Sequence, residues 1–309
     1  MVVAEADAGV FVAVDWGTSS FRAWRLAADG TPLAHSRGPE GMQYCVSAGF
    51  APVLAGHLEK LVASGDLPVL ICGMAGARQG WVEAPYLSTP SRLDRLYAGA
   101  VRVDVPGDVR ILPGIAHRDP ACPEVMRGEE TQILGAIEDG FSGLVCIPGT
   151  HSKWIAIEDG SIVGLTTFMT GELFSVIAAH TILAHAVDMA TLPVRPSAAF
   201  HEALATTSSG NTELSSALFR LRAAQLLGFE QRADGAARLS GLLIGSEIAG
   251  AARRYGRQPL RLIASSDLGA LYEEALRRLG YEIEIVDAEQ TARCGLMKAA
   301  AGLWKERFA

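Results

Sequence analysis

Apolar positions change their period several times along this chain, and each change marks an element. Residues 10–14 are a short apolar run closed by Asp15-Trp16-Gly17-Thr18; a second run covers 21–26, and a third covers 31–35 after Asp29-Gly30. Short runs on either side of Asp-Gly predict a β-hairpin, because that pair tolerates the positive φ of a type I′ turn. The expectation over 10–35 is strand, Gly-Thr turn, strand, Asp-Gly turn, strand. Residues 50–64 then take helical spacing through Val53, Leu54, Leu58, Leu61 and Val62. A buried strand over 69–72 stops at Gly73, a Gly-, Pro- and aromatic-bearing loop covers 75–92, and a helix is predicted over 131–138, opened by Arg127-Gly128-Glu129-Glu130. Strands follow over 144–147, 153–157 and 162–168, with Pro148-Gly149-Thr150 and Asp159-Gly160 between them. After Gly171 the pattern is helical to about 254, with a polar break at 206–212; strand 260–264, helix 268–279, strand 283–286 and helix 288–304 complete the chain. The most apolar stretch, 165–190, is interrupted by Glu172, His180, His185 and Asp188. It reads as a buried helix, because a membrane span needs ~18 uninterrupted apolar residues.

The hairpin pattern occurs twice. Gly17-Thr18-x-Ser20-x-x-x-Trp24 is echoed by Gly149-Thr150-x-Ser152-x-Trp154, and Asp29-Gly30-Thr31 by Asp159-Gly160-Ser161, at offsets of 132 and 130 residues. An internal repeat of this size predicts two like-folded α/β domains. Their mixed sheets are expected to face each other across a cleft. The expected division is 1–138 and 139–309, with 288–309 free to pack back on the first domain. A length of 309 residues suits two domains at ~100–200 residues each.

Composition narrows the function. Lys and Arg number 27 against 34 Asp and Glu, a net charge of −7 without any basic run, which excludes a generic nucleic-acid binder. Five scattered cysteines with no C-x-x-C pair read as reduced thiols of a cytoplasmic protein, neither a disulfide framework nor a zinc site. Residues 1–10 carry Glu5 and Asp7 and lack the basic start of a signal peptide. The chain has no G-x-x-x-x-G-K-[ST] and no G-x-G-x-x-G, so P-loop and Rossmann nucleotide sites have no support.

The candidate chemistry lies at the turns. A Gly-Thr-Ser-Ser turn offers backbone N–H groups and hydroxyls to an anion, and two such turns, one per domain, could grip a polyphosphate. The residues concerned are Gly17, Thr18, Ser19 and Ser20, then Gly149, Thr150, His151, Ser152 and Lys153. Asp15 ahead of the first turn suits Mg²⁺, which takes one or two carboxylates plus phosphate oxygens. Arg22 on the returning strand could neutralise a phosphoryl group. Glu129 and Glu130 open a helix, where acids complement the positive end; one can cap while the other acts as general base.

Asp15-x-Gly17-Thr18-Ser19-Ser20-x-Arg22 resembles the first phosphate motif of the sugar-kinase, hexokinase, heat-shock-protein-70 and actin superfamily. Within it, four blocks resemble the 2-dehydro-3-deoxygalactonokinase family. They are Gly73-Met74-x-Gly76-x-x-Gln79-Gly80-Trp81-x-Glu83-Ala84-Pro85-Tyr86, Met126-Arg127-Gly128-Glu129-Glu130-Thr131-Gln132, Pro148-Gly149-Thr150-His151-Ser152-Lys153-Trp154 and Phe168-Met169-Thr170-Gly171-Glu172-Leu173-Phe174. The resemblance implies two actin-like (ribonuclease H-like) α/β domains and a kinase that uses ATP and Mg²⁺. The acceptor would be the terminal hydroxyl of 2-dehydro-3-deoxy-D-galactonate, during galactonate breakdown. It puts Asp15 at the metal, the two Gly-Thr turns at the phosphates, Glu129 where relatives carry an Asp base, and Ser265 in the adenosine segment 264–268. Pro148 stands where some relatives have an acid, and Ala264 where relatives usually have Gly. A sugar acid needs a cation for its carboxylate, so Arg78 and Arg92, which flank the aromatic loop, and Arg127 are candidates, with Trp81, Glu83 and Tyr86 around the sugar. A homodimer is compatible with this reading. The competing readings are a kinase for another sugar or sugar acid, and a nucleotide-dependent switch of the same fold; a switch has no need of the Trp/Tyr/Arg loop.

Overall fold

The structure is a computed structural model that describes residues 9–63, 66–192, 194–265 and 267–308. Residues 1–8, Ser64 at the end of the helix expected over 50–64, Pro193 in the stretch expected to be helical, and Ser266 of the adenosine segment lie outside the described residues.

In chain order the elements are β1 (Phe11–Trp16), β2 (Phe21–Leu26), β3 (Pro32–Gly38), α1 (Met42–Ala48), α2 (Phe50–Lys60), β4 (Val69–Gly73), β5 (Tyr86–Ser88), β6 (Ser91–Arg92), β7 (Val101–Arg102), β8 (Val109–Ile111), β9 (Gly114–His117), β10 (Glu124–Met126) and α3 (Glu129–Ala136). They continue with β11 (Gly143–Ile147), β12 (Ser152–Glu158), β13 (Ser161–Phe168), α4 (Thr170–His180), α5 (Ala198–Ser208), α6 (Leu214–Leu226), α7 (Gly235–Tyr255), β14 (Leu260–Ile263), α8 (Asp267–Arg278), β15 (Ile283–Val286) and α9 (Ala288–Leu303). The chain divides into two compact units: Met1–Phe141 with Glu158–Gly164 and Ala288–Ala309, and Ser142–Ile157 with Leu165–Asp287.

The first unit holds a sheet in the order β3-β2-β1-β4-β8-β7. Strand β1 is antiparallel to β2 and parallel to β4, and β4 is parallel to β8. Its central strands are apolar on both faces, as strands covered on two sides must be. Val12, Val14, Trp16, Phe21, Ile71 and Ile111 form the core. In the second unit the order is β15-β14-β11-β12-β13, with β11 antiparallel to β12 and parallel to β14, and β14 parallel to β15. Five strands correspond, β13-β12-β11-β14-β15 matching β3-β2-β1-β4-β8, while β6 beside β13 and β7 beside β8 have no counterpart; the repeat seen in sequence is a repeat of fold, the actin-like (ribonuclease H-like) α/β pattern built twice. Helix α7 runs through the second core, where Leu239, Leu243, Ile244 and Ile248 meet Trp154 and Phe200.

Four expectations need correction. The apolar stretch 165–190 is not one buried helix: β13 reaches Phe168, α4 covers only Thr170–His180, and short 3₁₀ turns follow. Thr181 and Asp188 start those turns by accepting the N–H of Leu183 at 3.1 Å and of Ala190 at 3.0 Å, which competes with helix continuation. Nor is α4 buried all round, since Leu173 and Val176 are exposed. The loop expected over 75–92 contains β5 and β6, and further short strands to 126 were not anticipated. The two Asp-Gly turns also differ. Asp159 and Gly160 both have positive φ, the type I′ signature, whereas in the first turn only Gly30 does. There Ala27 N–H bonds the Thr31 carbonyl at 2.9 Å and Asp29 Oδ1 accepts the Thr31 N–H at 2.8 Å, closing a longer loop.

Candidate active site

In the first unit, the end of β1, the end of β4 and the start of α3 converge through glycines. Gly73 has φ +93°, and a Cβ on it would stand 2.6 Å from the Trp16 carbonyl oxygen. Gly128 has φ +106°, and its Cβ would be 3.3 Å from the Gly73 Cα. Only residues without a side chain allow this approach. It brings Glu129 of α3 into electrostatic reach of Asp15.

Asp15 lies opposite Arg22 in the β1–β2 register, and Arg22 Nη2 donates to its Oδ2 at 2.5 Å. Arg22 Nη1 also lies 3.8 Å from Glu289 Oε2 on α9. Burial pushes the Asp15 carboxyl above its ordinary value; Arg22 opposes the shift, while Glu129 and Glu289 add to it. Asp15 and Glu289 thus place two carboxylates at one arginine, with Arg37 also on Glu289 at 3.1 Å, and carboxylate oxygens of this kind are what Mg²⁺ takes. The adjacent turn is closed by Gly17 N–H on the Ser20 carbonyl at 2.9 Å, and Thr18, Ser19 and Ser20 are exposed. It is held from behind by α1: Met42 N–H donates to the Gly17 carbonyl at 2.9 Å and Gln43 N–H to that of Thr18 at 3.1 Å.

The two glutamates are not equivalent. Glu130 is 1% exposed, accepts the Gly128 N–H at 2.9 and 2.8 Å and the Thr131 hydroxyl at 3.2 Å, and is pushed up to about 8 by burial and then by Glu129. Glu129 is half-buried and accepts the Arg127 N–H at 3.0 Å. These back-bonds satisfy N–H groups ahead of the helix, which is why α3 starts at Glu129 and not at 131.

The aromatic loop separates the sugar-site candidates. Arg127 is buried, stacks 4.3 Å from the centre of the Tyr86 ring and donates to the Ala84 carbonyl at 2.8 Å. Its Nε and Nη1 have no hydrogen-bond partner among the described residues. Trp81 turns toward the core, stacked 5.8 Å from Phe50 and edge-on at 6.1 Å to Trp16. Arg78 and Glu83 are exposed on the loop.

In the second unit the Gly-Thr turn is held by α4. Glu172 N–H donates to the Thr150 carbonyl at 3.0 Å, and a Cβ on Gly171 would stand 2.6 Å from the Gly149 carbonyl oxygen. His151 Nε2 meets Glu172 Oε2 at 2.5 Å. Ser152 and Lys153, expected at the phosphates, are both buried. The Ser152 hydroxyl lies 2.9 Å from the Tyr272 hydroxyl and Lys153 Nζ donates to the His151 carbonyl at 2.9 Å, so both brace the turn from inside. Beside the turn is a largely apolar cavity of about 530 Å³, walled by Gly149, Thr170, Phe174, Leu243, Leu268 and Tyr272 among others. Ser265 does not line it; its hydroxyl donates to Asp287 Oδ2 at 2.9 Å. Gly269 at the start of α8 packs on Ala264, where an added Cβ would be 2.8 Å from the Ala264 Cβ.

Sequence reading missed Glu247, Tyr272 and Glu289. Glu247 carried a signal, an acid inside the apolar run 242–249; Glu289 at a helix start looked like an ordinary cap. Among the described residues no helix is long and apolar enough to cross a membrane.

Comparison with known proteins gives the family. The chain is 49% identical over 301 residues to a Rhizobium meliloti (strain 1021) protein described as a probable 2-dehydro-3-deoxygalactonokinase, covering 96% of this chain and 98% of the relative. It is 32% identical over 292 residues to the 2-dehydro-3-deoxygalactonokinase of Escherichia coli (strain K12), covering 94% and 97%. A crystal structure from Sinorhizobium meliloti, provisionally described as the same kinase, superposes with a TM-score of 0.91 at 49% identity, covering 95% of this chain and 99% of that one. The 2-keto-3-deoxy-galactonokinase family model spans residues 15–299, from the acid at the first turn to the helix carrying Glu289, and this chain belongs to that family.

Proposed function

We propose that this protein transfers the γ-phosphoryl group of ATP to the terminal hydroxyl of 2-dehydro-3-deoxy-D-galactonate, in the cytoplasm, during galactonate breakdown. The observation that carries the reading is the glycine-enabled approach of Glu129 to Asp15. It gives a base and a metal-binding acid on one side of the first Gly-Thr turn. Asp15 would hold Mg²⁺, which when bound screens the phosphate charge.

The chain's own residues do the rest. Thr18, Ser19 and Ser20 offer donors to phosphate oxygens, and Arg22 offsets the charge of the transferred group. Glu129 accepts the hydroxyl proton as the new O–P bond forms and the bond from the γ-phosphorus to the bridging oxygen breaks, releasing ADP. Glu130 stays with the backbone it caps. The exposed turn of Gly149, Thr150 and His151 serves the remaining phosphates, and the cavity beside it takes the nucleoside, since it is apolar and of ligand size. Arg127, with two N–H groups lacking an acceptor, is the carboxylate anchor, with Tyr86 as its platform and Arg78, Trp81 and Glu83 around the sugar. A homodimer belongs to this reading, and light scattering of the purified chain tests it.

The deciding experiment measures ADP release with ATP and Mg²⁺ against a panel of sugar acids. The expected result is release that depends on 2-dehydro-3-deoxy-D-galactonate. Equal release without any sugar would instead indicate a nucleotide-driven switch, and preference for a neutral sugar would overturn the substrate.

A further inference from the structure

Glu247 sits in the middle of α7, surrounded by Leu243, Ile244 and Ile248, and is 2% exposed. A carboxylate at such a place costs several kcal/mol of desolvation unless donors replace the lost water. Three donors do. The Trp154 indole Nε1 donates to Oε1 at 2.8 Å, the Tyr272 hydroxyl donates to Oε2 at 2.6 Å, and the Thr170 hydroxyl donates to the same Oε2. Burial raises the Glu247 carboxyl above its ordinary value and these bonds oppose the rise.

The donors come from three elements other than α7 itself. Trp154 is on β12, the strand that leaves the second Gly-Thr turn. Thr170 is the first residue of α4, whose next N–H groups and Gly171 clamp that turn. Tyr272 is on α8, and its hydroxyl also lies 2.9 Å from Ser152, the residue under Gly149. Thr170 and Tyr272 are part of the wall of the 530 Å³ cavity. One buried carboxylate therefore joins the backbone that meets phosphates to the wall that meets the nucleoside. A helix that needed only packing would carry Leu here, at no electrostatic cost.

We propose that Glu247 is the positioning residue of the nucleotide site, setting the second Gly-Thr turn in fixed register with the nucleoside cavity through Trp154, Thr170 and Tyr272. It touches no substrate. This rests on the kinase reading above, in which that cavity and that turn hold two parts of one nucleotide.

Registration has a signature that plain stabilisation lacks. A ligand that uses both parts feels a mismatch between them, while a ligand that uses one part does not. Glu247→Leu removes every acceptor. Glu247→Gln keeps one for the indole, which cannot reverse its role, while the hydroxyls of Thr170 and Tyr272 can turn to accept from the amide. The test is titration of the full-length protein with ATP, ADP, adenosine and inorganic tripolyphosphate, beside KM and kcat for ATP and the sugar acid. Glu247→Leu is expected to weaken ATP and ADP by about tenfold or more, as misplacement at a binding site does. Adenosine, tripolyphosphate and the sugar-acid KM should stay within about twofold of the parent values, the range expected without a register change. Glu247→Gln should recover most of the ATP affinity. If Glu247→Leu does not fold, Thr170→Val removes one arm at nearly constant volume and should weaken ATP more than adenosine. Equal weakening of ATP and adenosine, or unchanged ATP binding in both Glu247→Leu and Thr170→Val, overturns the inference while leaving the kinase reading intact. Failure of the unmodified protein to bind any adenine nucleotide overturns both.

Discussion

The two Gly-Thr hairpins share a topology and differ in where they keep their charge. In the first, the ladder closes at Trp16 and Phe21 with four residues between, and Asp15 pairs with Arg22 one step in. In the second, the ladder closes at Ile147 and Lys153 with five residues between, and Cys146 pairs with Trp154. Pro148 is the added residue. The acid of the second hairpin comes from elsewhere, from Glu247 on α7, and it is buried. Both turns are nevertheless held in the same way, by the first N–H groups of a following helix and by a glycine with no room for a Cβ. The lesson is that the repeat keeps the mechanical support of a turn while its side chains differ: one copy has the Asp15–Arg22 pair beside it, the other a His151–Glu172 pair and an apolar cavity.

The contrast breaks most visibly at the base. Glu129→Gln is expected to lower kcat by ~10²–10⁴, with KM for ATP nearly unchanged. Glu130→Gln should retain most activity, because Glu130 is turned into the backbone; steady-state kinetics of the pair decides, and the reverse result exchanges their roles. Next in size is Asp15→Asn. The Mg²⁺ concentration for half-maximal rate should rise by roughly 10–100-fold. Nucleotide binding without metal, read by calorimetry, should change little. If Mg²⁺ dependence were untouched, the first hairpin would lose its assigned difference from the second.

The common support is tested by Gly41→Ala and Gly171→Ala. A Cβ at Gly41 would stand 2.5 Å from the Ser19 backbone, and at Gly171 2.6 Å from the Gly149 carbonyl oxygen. Each should cost about 1–3 kcal/mol in denaturant melts, through overpacking. A neutral result at one turn only would show that the two are not held alike. The smallest effect is on pH. Both units bury carboxyls held above their ordinary values, Asp15 and Glu130 in the first, the latter at about 8, and Glu247 in the second. The folded state keeps protons that the unfolded state releases above ~4.3, so stability falls as pH rises from there toward 8. Per group the loss is at most about 1.4 kcal/mol for each pH unit. Melting temperatures of Glu130→Gln across this range should show a shallower decline than the parent.

How much of this was legible in the sequence follows from distance along the chain. Asp15, Gly17, Arg22 and Glu129 stand in local motifs whose turn chemistry fixes them, and the doubled hairpin showed the fold. Glu247, Tyr272 and Glu289 act on residues about 25 to 270 positions away, and no local period marks such a meeting. The buried Ser152 and Lys153 illustrate the converse. Their place in the motif suggested ligands, but Ser152 meets the Tyr272 hydroxyl and Lys153 the His151 carbonyl, and both are buried there. Short strands β5 to β10 were invisible because two to four residues carry too little pattern to read.

Helix α9 has a further consequence, for biosynthesis. It belongs to the first unit yet is translated after the whole of the second. It packs on α3 through Gly135 and Gly295, neither of which has space for a Cβ against the Thr291 or Thr131 carbonyl. It also supplies Glu289 to Arg22. While the ribosome is still making residues 142–287, the helix bearing Glu129 and Glu130 lacks its neighbour. The first half of the chain waits with an open flank, and the second can complete its own sheet as it emerges. A chain stalled or cut before Ala288 therefore carries both turns and both glutamates without the scaffold that aligns them, so phosphoryl transfer depends on finished synthesis.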